Sequence, residues 1–323
     1  MGIMEAIMFR QNLFTSSSKK TVSLFAMLLL LLLSVILFIN SIIPQYTYAY
    51  TSSLSDKIKR LEMTKEPKIV LIGNSNLVFG IDSEQIENAF HMPVINMGLH
   101  RGLGNSFHEQ FIMGNVKEGD IIIVAHTDYN DSDEVQNSEL AWLTLENRWE
   151  LWKYMNAENF KQLWPAFSDY LKDEITQWEN GTGNQVPENI YSRQAFNEYG
   201  DIGWDRAGTE IDFSSVDLSV PSVSKECSKR LNKLNQYITD RRAVMLIAAY
   251  PIAEGAYTPD EKEYVQFQEE LETQMDAPVI SDFTDYLLDY KYFYDTIYHL
   301  NSEGADIRTK QLIADIKKWK GME

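Results

Sequence analysis

Ile69-Val70-Leu71-Ile72-Gly73-Asn74-Ser75-Asn76 is an apolar run that passes straight into a small-residue turn carrying a serine. Together with Lys68 it reads as a strand buried on both faces, because the run offers no polar side to water. Residues 93–96, 120–125, 243–249 and 278–282 have the same character, and 120–125 is introduced by the turn Glu118-Gly119. Helical patterns lie between them: 83–90 with Asp82 or Ser83 as N-cap, 105–116, the strongly charged 259–275, and 302–319 with Ser302 as N-cap. This alternation predicts an α/β fold with a parallel sheet and helices on both faces. Five strands predict a flavodoxin-like three-layer α/β/α sandwich. Ligands in such sheets sit beyond the carboxyl ends of the strands. Ser75, Gly98, His126 and Asp128 all fall just past predicted strand ends.

Residues 139–240 interrupt the pattern and predict a helical insertion that caps the sheet. Its segments 140–155 and 160–178 carry Trp142, Trp149, Trp152, Trp164 and Trp178, and a loop-rich tract runs from Gly181 to Pro221. The tryptophans fit helix packing or a stacking surface for sugar rings. Phe196–Asp201 reads as a structured turn or as a cluster touching the site.

The N-terminus differs in kind. Residues 22–43 carry no charge and include six consecutive leucines, 28–33. That length spans about 30 Å of hydrocarbon as a helix. It exceeds the apolar region of a secretory signal, about 7–15 residues. Residues 22–44 are therefore expected to stay as a transmembrane anchor, although Thr47 and Ala49 are small enough for a cleavage site after Ala49. Arg10, Lys19 and Lys20 precede the span. The positive-inside rule then places residues 1–21 in the cytoplasm and the main domain outside the cell, in a single-pass cell-membrane protein. Residues 45–66, with Ser52, Ser53 and Ser55, read as a polar stalk ending in a short charged helix, and 67–323 as the main domain.

The formal charge of −18 argues against nucleic-acid binding through phosphates and against adhesion of the main domain to anionic lipid. One cysteine, Cys227, cannot form an intrachain disulfide, and the five histidines show no metal-ligand spacing. Gly98, Gly102 and Gly104 have the wrong spacing for a nucleotide loop. No metal or organic cofactor is expected.

Near the C-terminus the chain reads Tyr294-Asp295-Thr296-Ile297-Tyr298-His299-Leu300-Asn301-Ser302-Glu303-Gly304. This segment places an acid and a histidine on a loop just before a helix. A serine needs a base to become a nucleophile, and the base needs a third group to orient it. The Ser75 turn and this loop together hold all three chemical types, which points to a serine hydrolase or acyltransferase.

These residues carry a resemblance. The chain resembles the SGNH (GDSL-type) hydrolase superfamily, in particular its membrane-anchored DltD-like and cell-envelope acyltransferase or esterase branches. Gly73-Asn74-Ser75-Asn76 stands at the nucleophile block, Asn96-Met97-Gly98 at the second block, and Asp295 with His299-Leu300-Asn301 at the last. The resemblance covers roughly residues 67–130 and 243–320 and implies Ser75 as nucleophile, His299 as general base and acid, and Asp295 as orienting carboxylate. It implies the Ser75 and Gly98 N–H groups as oxyanion donors, with Asn76, His126 and Asp128 as further oxyanion or substrate residues. Two positions depart from the pattern. Asp295 lies four residues before His299 instead of three, and the third block, Ala125-His126-Thr127-Asp128, lacks the asparagine that donates to the oxyanion, so His126 is the expected substitute. The implied activity is ester hydrolysis or O-acyl transfer on acylated cell-envelope polysaccharide or teichoic-acid-type polymers, with a multi-span membrane acyltransferase as a further partner. A non-catalytic glycan-binding or assembly protein of the same fold is the alternative.

Overall fold

The structure, a computed structural model, describes residues 3–42, 44–130, 135–208, 222–254 and 261–322. Residue 43 of the expected span, residues 259 and 260 of the expected charged helix and residues 209–221 of the insertion lie outside them.

The central sheet has four parallel strands: β1 (Ile69–Gly73), β2 (Val94–Asn96), β3 (Ile121–Ala125) and β4 (Val244–Ile247), in the order β2-β1-β3-β4. Ile69 is in register with both Val94 and Ile121. Alternation along each strand divides the core. Val70, Ile72, Ile122, Val124, Met245 and Ile247 enter one apolar cluster, whereas Ile69, Leu71, Ile121, Ile123 and Leu246 enter another on the opposite face. Every one of these residues is at most 5% exposed, as the unbroken apolar runs require.

The expected fifth strand is reduced to a single contact. Residues 278–282 meet β4 through one parallel bridge, Ile247 to Val279, with the Ile247 N–H donating to Pro278 O at 2.8 Å and the Ile280 N–H to Ile247 O at 2.9 Å. Pro278 has no N–H to extend the ladder, which keeps this edge short. A second, two-stranded parallel sheet, β5 (Ile252–Glu254) with β6 (Leu287–Asp289), was not visible in the sequence pattern.

Helices cover both faces. One layer holds α3 (Ser75–Gly80), α4 (Ser83–Phe90) and α11 (Ser302–Lys320), through Leu77, Ile86, Leu312 and Ile316. Asp82 caps α4, accepting from the Gln85 N–H at 3.2 Å. Asn301, rather than the expected Ser302, caps α11, accepting from the Gly304 N–H at 2.9 Å. The other layer includes α2 (Leu54–Met63), α5 (Asn105–Gln110), α9 (Lys225–Thr239) and α10 (Glu261–Gln274). α9 packs on β4 through Leu231, Leu234 and Ile238, so the expected insertion ends before it.

Residues 45–66 are not a stalk. Tyr50, Leu54, Ile58 and Leu61 recur at helical spacing and are all buried in the core, and Ser52 and Ser53 are fully buried with them. The serines hid this stripe because their hydroxyls are satisfied locally, Ser53 by Tyr50 O at 2.8 Å.

The insertion contains α6 (Ser138–Leu145), α7 (Ala157–Leu163) and α8 (Phe167–Asn180). The expected helix over 140–155 breaks after Leu145, and 3-10 turns cover Trp149–Tyr154 and Trp164–Ala166. Trp142 stacks with Tyr170 and donates to Leu163 O at 2.8 Å, a packing role. Phe196–Asp201 is a turn that braces β2: the Asn96 N–H donates to Tyr199 O at 2.9 Å and Lys57 Nζ to Asn96 O at 2.9 Å.

Ahead of all this runs α1 (Ile3–Ile42), the one described helix long and apolar enough to cross a membrane, in the window Lys19–Phe38, none of which is buried against the rest of the chain. The residues after α1 are fastened to the insertion. Glu146 accepts from the Gln45 and Tyr46 N–H groups, and Tyr46 bonds Asp173. Beneath this contact Glu174 is fully buried against Glu146. Burial, then the hydrogen bond with Glu146, pushes the Glu174 carboxyl up to about 10. A folded-state value raised above the unfolded one gives stability that is fully present below the unfolded value, 4.5, and is lost as pH rises toward 10. Glu174→Gln removes that titration and keeps a donor toward Glu146. Thermal melts at pH 5, 7 and 9 are expected to show wild type losing stability with rising pH and the variant losing less. Parallel pH profiles for the two proteins would refute the assignment.

Candidate active site

β1 ends at Gly73, in register with Ala125 of β3. A Cβ on Gly73 would lie 2.6 Å from Ala125 O, so only glycine permits this approach. Asn74 then caps α3, its side chain accepting from the Asn76 N–H at 3.2 Å, and Ser75 is the first helical residue. The turn is bolted in place. Asn74 Nδ2 donates to Thr127 Oγ1 at 2.6 Å, and Asn76 Nδ2 donates to Asn74 Oδ1 at 2.7 Å and Ala125 O at 2.9 Å. From α11, Arg308 donates to Asn76 O at 2.6 Å and Asn76 Oδ1 at 2.8 Å.

The second segment arrives on a loop pinned at its base. Phe293 bridges Leu300 in antiparallel fashion, and the Tyr294 N–H donates to His299 O at 2.7 Å. Thr296 Oγ1 accepts from the His299 N–H at 3.1 Å and the Tyr298 N–H at 3.3 Å. This curl accommodates the extra residue between acid and base, so Asp295 Oδ1 reaches His299 Nδ1 at 2.8 Å. His299 Nε2 lies 2.8 Å from Ser75 Oγ. The structure therefore brings Ser75, His299 and Asp295 into one hydrogen-bonded chain.

Burial raises the Asp295 carboxyl, but the hydrogen bonds from His299 and Tyr191 outweigh it and hold the group below its ordinary value. An ionised carboxylate only accepts, so His299 Nδ1 carries the proton and Nε2 keeps its lone pair toward the serine hydroxyl.

Two partners of the imidazole were missed in the sequence. Tyr191, from the insertion, donates its hydroxyl to Asp295 Oδ2 and lies 3.3 Å from His299 Nδ1. Burial first and then the Asp295 hydrogen bond push the Tyr191 phenol far above its ordinary value, so it stays a donor at every working pH. Phe79, one turn beyond Ser75 on α3, stacks on the imidazole at 4.0 Å and 2°. Its position four residues after the serine is a helical-face signal that sequence reading could have used. Nothing in the sequence around Tyr191 pointed to the site.

The remaining candidates are placed elsewhere. Asn76 is fully buried, with its N–H and its side chain committed inside the turn, and does not face a substrate. The Gly98 N–H, expected as an oxyanion donor, donates to Asn96 Oδ1 at 2.9 Å. A Cβ at 98 would lie 2.8 Å from Leu77 Cβ and 2.9 Å from Asn74 O, so this glycine serves the packing of β2's end on the serine turn. His126 is fully buried and bonds Glu109 on α5 at 2.9 Å, because strand alternation turns it into the helix layer. Asp128 pairs with Arg101 at 2.8 Å and accepts from the Asn130 N–H at 2.8 Å, beside Tyr298 at the rim. It positions the rim and supplies no proton to an oxyanion.

Thr127, the residue after His126, touches the serine turn. Its oxygen accepts from Asn74, the neighbour of Ser75, which leaves its hydroxyl hydrogen available. The Ser75 N–H, at the first position of α3, lies outside the helix's own ladder. His100 is nearby: burial, then the field of His299, lowers its imidazole below the ordinary value. Among the described residues no group of three or more His, Cys, Asp or Glu is arranged to hold a metal. Comparisons with protein-family models, with curated proteins and with solved structures gave no match.

Proposed function

We propose that the chain is a membrane-anchored serine esterase or O-acyltransferase of SGNH type that works through an acyl-enzyme on Ser75. The observation that carries the reading is the pair of 2.8 Å contacts made by His299, one to Ser75 and one to Asp295. His299 Nε2 takes the Ser75 proton as the oxygen attacks an ester carbonyl. Asp295 and Tyr191 hold the imidazolium in place. The carbonyl oxygen becomes an oxyanion, for which the Ser75 N–H and the Thr127 hydroxyl are the candidate donors. His299 returns the proton to the leaving alcohol, and water or a sugar hydroxyl then accepts the acyl group, with His299 again the base.

The strand order supports the fold assignment, since the Val279 bridge extends β2-β1-β3-β4 by one position in the flavodoxin-like sense. Arg10, Lys19 and Lys20 ahead of the apolar stretch support a cytoplasmic N-terminus with the site outside the cell. That location favours acylated cell-envelope polysaccharide or teichoic-acid-type polymers as substrates, and a multi-span acyltransferase in the same membrane as acyl donor. The rival reading, a non-catalytic glycan-binding protein of the same fold, draws on the engaged Gly98 N–H.

A fluorophosphonate separates the two. The folded chain is expected to gain one phosphonyl adduct, located on Ser75 by mass spectrometry. A folded chain that stays unmodified sinks the enzyme reading. Thr127→Val removes the hydroxyl and with it the acceptor for Asn74 Nδ2, and should slow ester turnover by about 100-fold; Thr127→Ser, which keeps the hydroxyl, should restore most of the rate.

Tyr191→Phe is a finer probe of the same array. Without the phenol's hydrogen bond the Asp295 carboxylate is a stronger acceptor for Nδ1–H and stabilises the imidazolium. The acid limb of the labelling rate should move to higher pH, by about half a unit to one unit. An unmoved limb with an unchanged rate would show that Tyr191 has no positioning role.

A further inference from the structure

Among the described residues the insertion carries large apolar side chains that stand exposed. Trp164 is 63% exposed, Trp178 57% and Ile175 40%. Ile175 and Trp178, three residues apart, are neighbours on the surface of α8, and Trp164 stands in the 3-10 turn that leads into it. Tyr170 and Glu174, two turns and one turn before Trp178, are buried, so the exposed side chains stand at the edge of the face by which α8 packs on the insertion. Isolated exposed apolar residues need no explanation, but a stripe of this size does.

The stripe sits beside the point where α1 hands over to the domain. Asn184, six residues after Trp178, clasps that junction: its N–H donates to Gln45 O at 2.7 Å, its side chain donates to Pro44 O, and its Oδ1 accepts from the Thr47 N–H at 3.1 Å. Asp173, just before Ile175, holds Tyr46. α8 is thus fixed within a few residues of the end of α1, the one described helix long and apolar enough to cross a membrane. Two lysines near the stripe are paired in place, Lys161 with Glu158 at 2.9 Å and Lys172 with Asp169 at 2.8 Å. That lowers the penalty for bringing this face against lipid.

We propose that the Trp164–Ile175–Trp178 face of the insertion lies in the headgroup region of the bilayer that α1 spans, and holds the candidate site at a fixed height and tilt above the membrane. The inference rests on the anchor reading of α1. Tryptophan suits the location because its ring is apolar and its N–H still finds a partner among headgroups. The contact is apolar rather than electrostatic, as the net charge of −18 demands. Tyr191 lies in the same insertion and touches Asp295, so the embedded element also supports the acid of the site.

The test uses the full chain in nanodiscs of a zwitterionic phosphatidylcholine brominated high on the acyl chain, against unbrominated discs. Wild type should show quenched tryptophan emission, and Trp164→Phe with Trp178→Phe should lose most of the quenched component while keeping the thermal stability of wild type. Equal quenching in wild type and the double variant overturns the inference, as does no quenching of a chain that floats with the lipid. Emission that responds to soluble polysaccharide and not to brominated lipid overturns it in favour of sugar stacking. A chain that fails to float sinks the anchor reading together with the inference. Fluorophosphonate labelling in detergent is independent of all these outcomes, so the enzyme reading stands or falls apart from them.

Discussion

Ester turnover in Ser75→Ala, and in His299→Ala, is expected to fall by about a million-fold, with no adduct formed by a fluorophosphonate in the first variant. The two losses should be nearly equal and should not add in the double variant, because serine and imidazole act as one unit across the 2.8 Å contact. Asp295→Asn tests the third member. Its amide would present a donor to Nδ1 and favour the tautomer whose Nε2 carries the proton, leaving the serine without a base. About ten-thousand-fold is the expected loss. Tyr191 would then face an amide it can still donate to, so the fold should survive, and near-UV circular dichroism should match wild type. Steady-state hydrolysis of a chromogenic acyl ester checks all four proteins. A Ser75→Ala variant with wild-type turnover would end the reading, because no other nucleophile in the array meets His299 Nε2. If Asp295→Asn loses less than about ten-fold, the carboxylate merely steadies the Thr296 turn.

The sequence made the frame of this site legible and left its lining dark. Four of five strands were readable because residues buried on both faces leave unbroken apolar runs, as in Ile121–Ala125. The fifth failed because an apolar run says nothing about how many ladder bonds it makes, and Pro278 removes one donor. The Ser75–His299–Asp295 chain of hydrogen bonds was readable because serine, acid and histidine each lie next to a local signal, a strand end or a helix start. Thr296 shows why the irregular acid–base spacing was no obstacle: its hydroxyl takes the His299 and Tyr298 N–H groups and curls the loop by the extra residue. Oxyanion donors are different. Whether an N–H is free depends on the nearest acceptor, and for Gly98 that is Asn96 Oδ1, two residues back but invisible as a contact until the turn is built. His126 was misplaced by the same limit, since one residue decides which face of the sheet a strand-end side chain enters. Tyr191 comes from a part of the chain with no periodic pattern at all.

Arg308 is where the largest stability effect is expected, and it ties the frame to the lining. It is 2% exposed, yet among the described residues it makes no ion pair with a carboxylate. Burial lowers its guanidinium to about 10, so it is still a cation at neutral pH. Its donors serve carbonyl-type oxygens instead: Asn76 O at 2.6 Å, Asn76 Oδ1 at 2.8 Å and Ala249 O at 3.3 Å. Those acceptors belong to the serine turn and to the residues just past β4, so one planar fork from α11 ties together two strand ends. Arg308→Ala leaves buried oxygens without donors and opens a cavity, and should destabilise the domain by roughly 3–5 kcal/mol. Arg308→Met separates the two causes. It refills most of the volume and restores no donor, so if polar satisfaction dominates it should be nearly as harmful as alanine. Arg308→Lys keeps the charge but lacks the fork, and should fall between. Denaturant titration of the detergent-solubilised chain measures the order. A methionine variant as stable as wild type would reduce Arg308 to packing. Because Asn76 holds Asn74, and Asn74 sets the first residue of α3, the same three variants should slow fluorophosphonate labelling in the order of their instability, even at temperatures where all remain folded. Labelling rates that ignore that order would mean that the serine turn keeps its geometry without the cation beneath it.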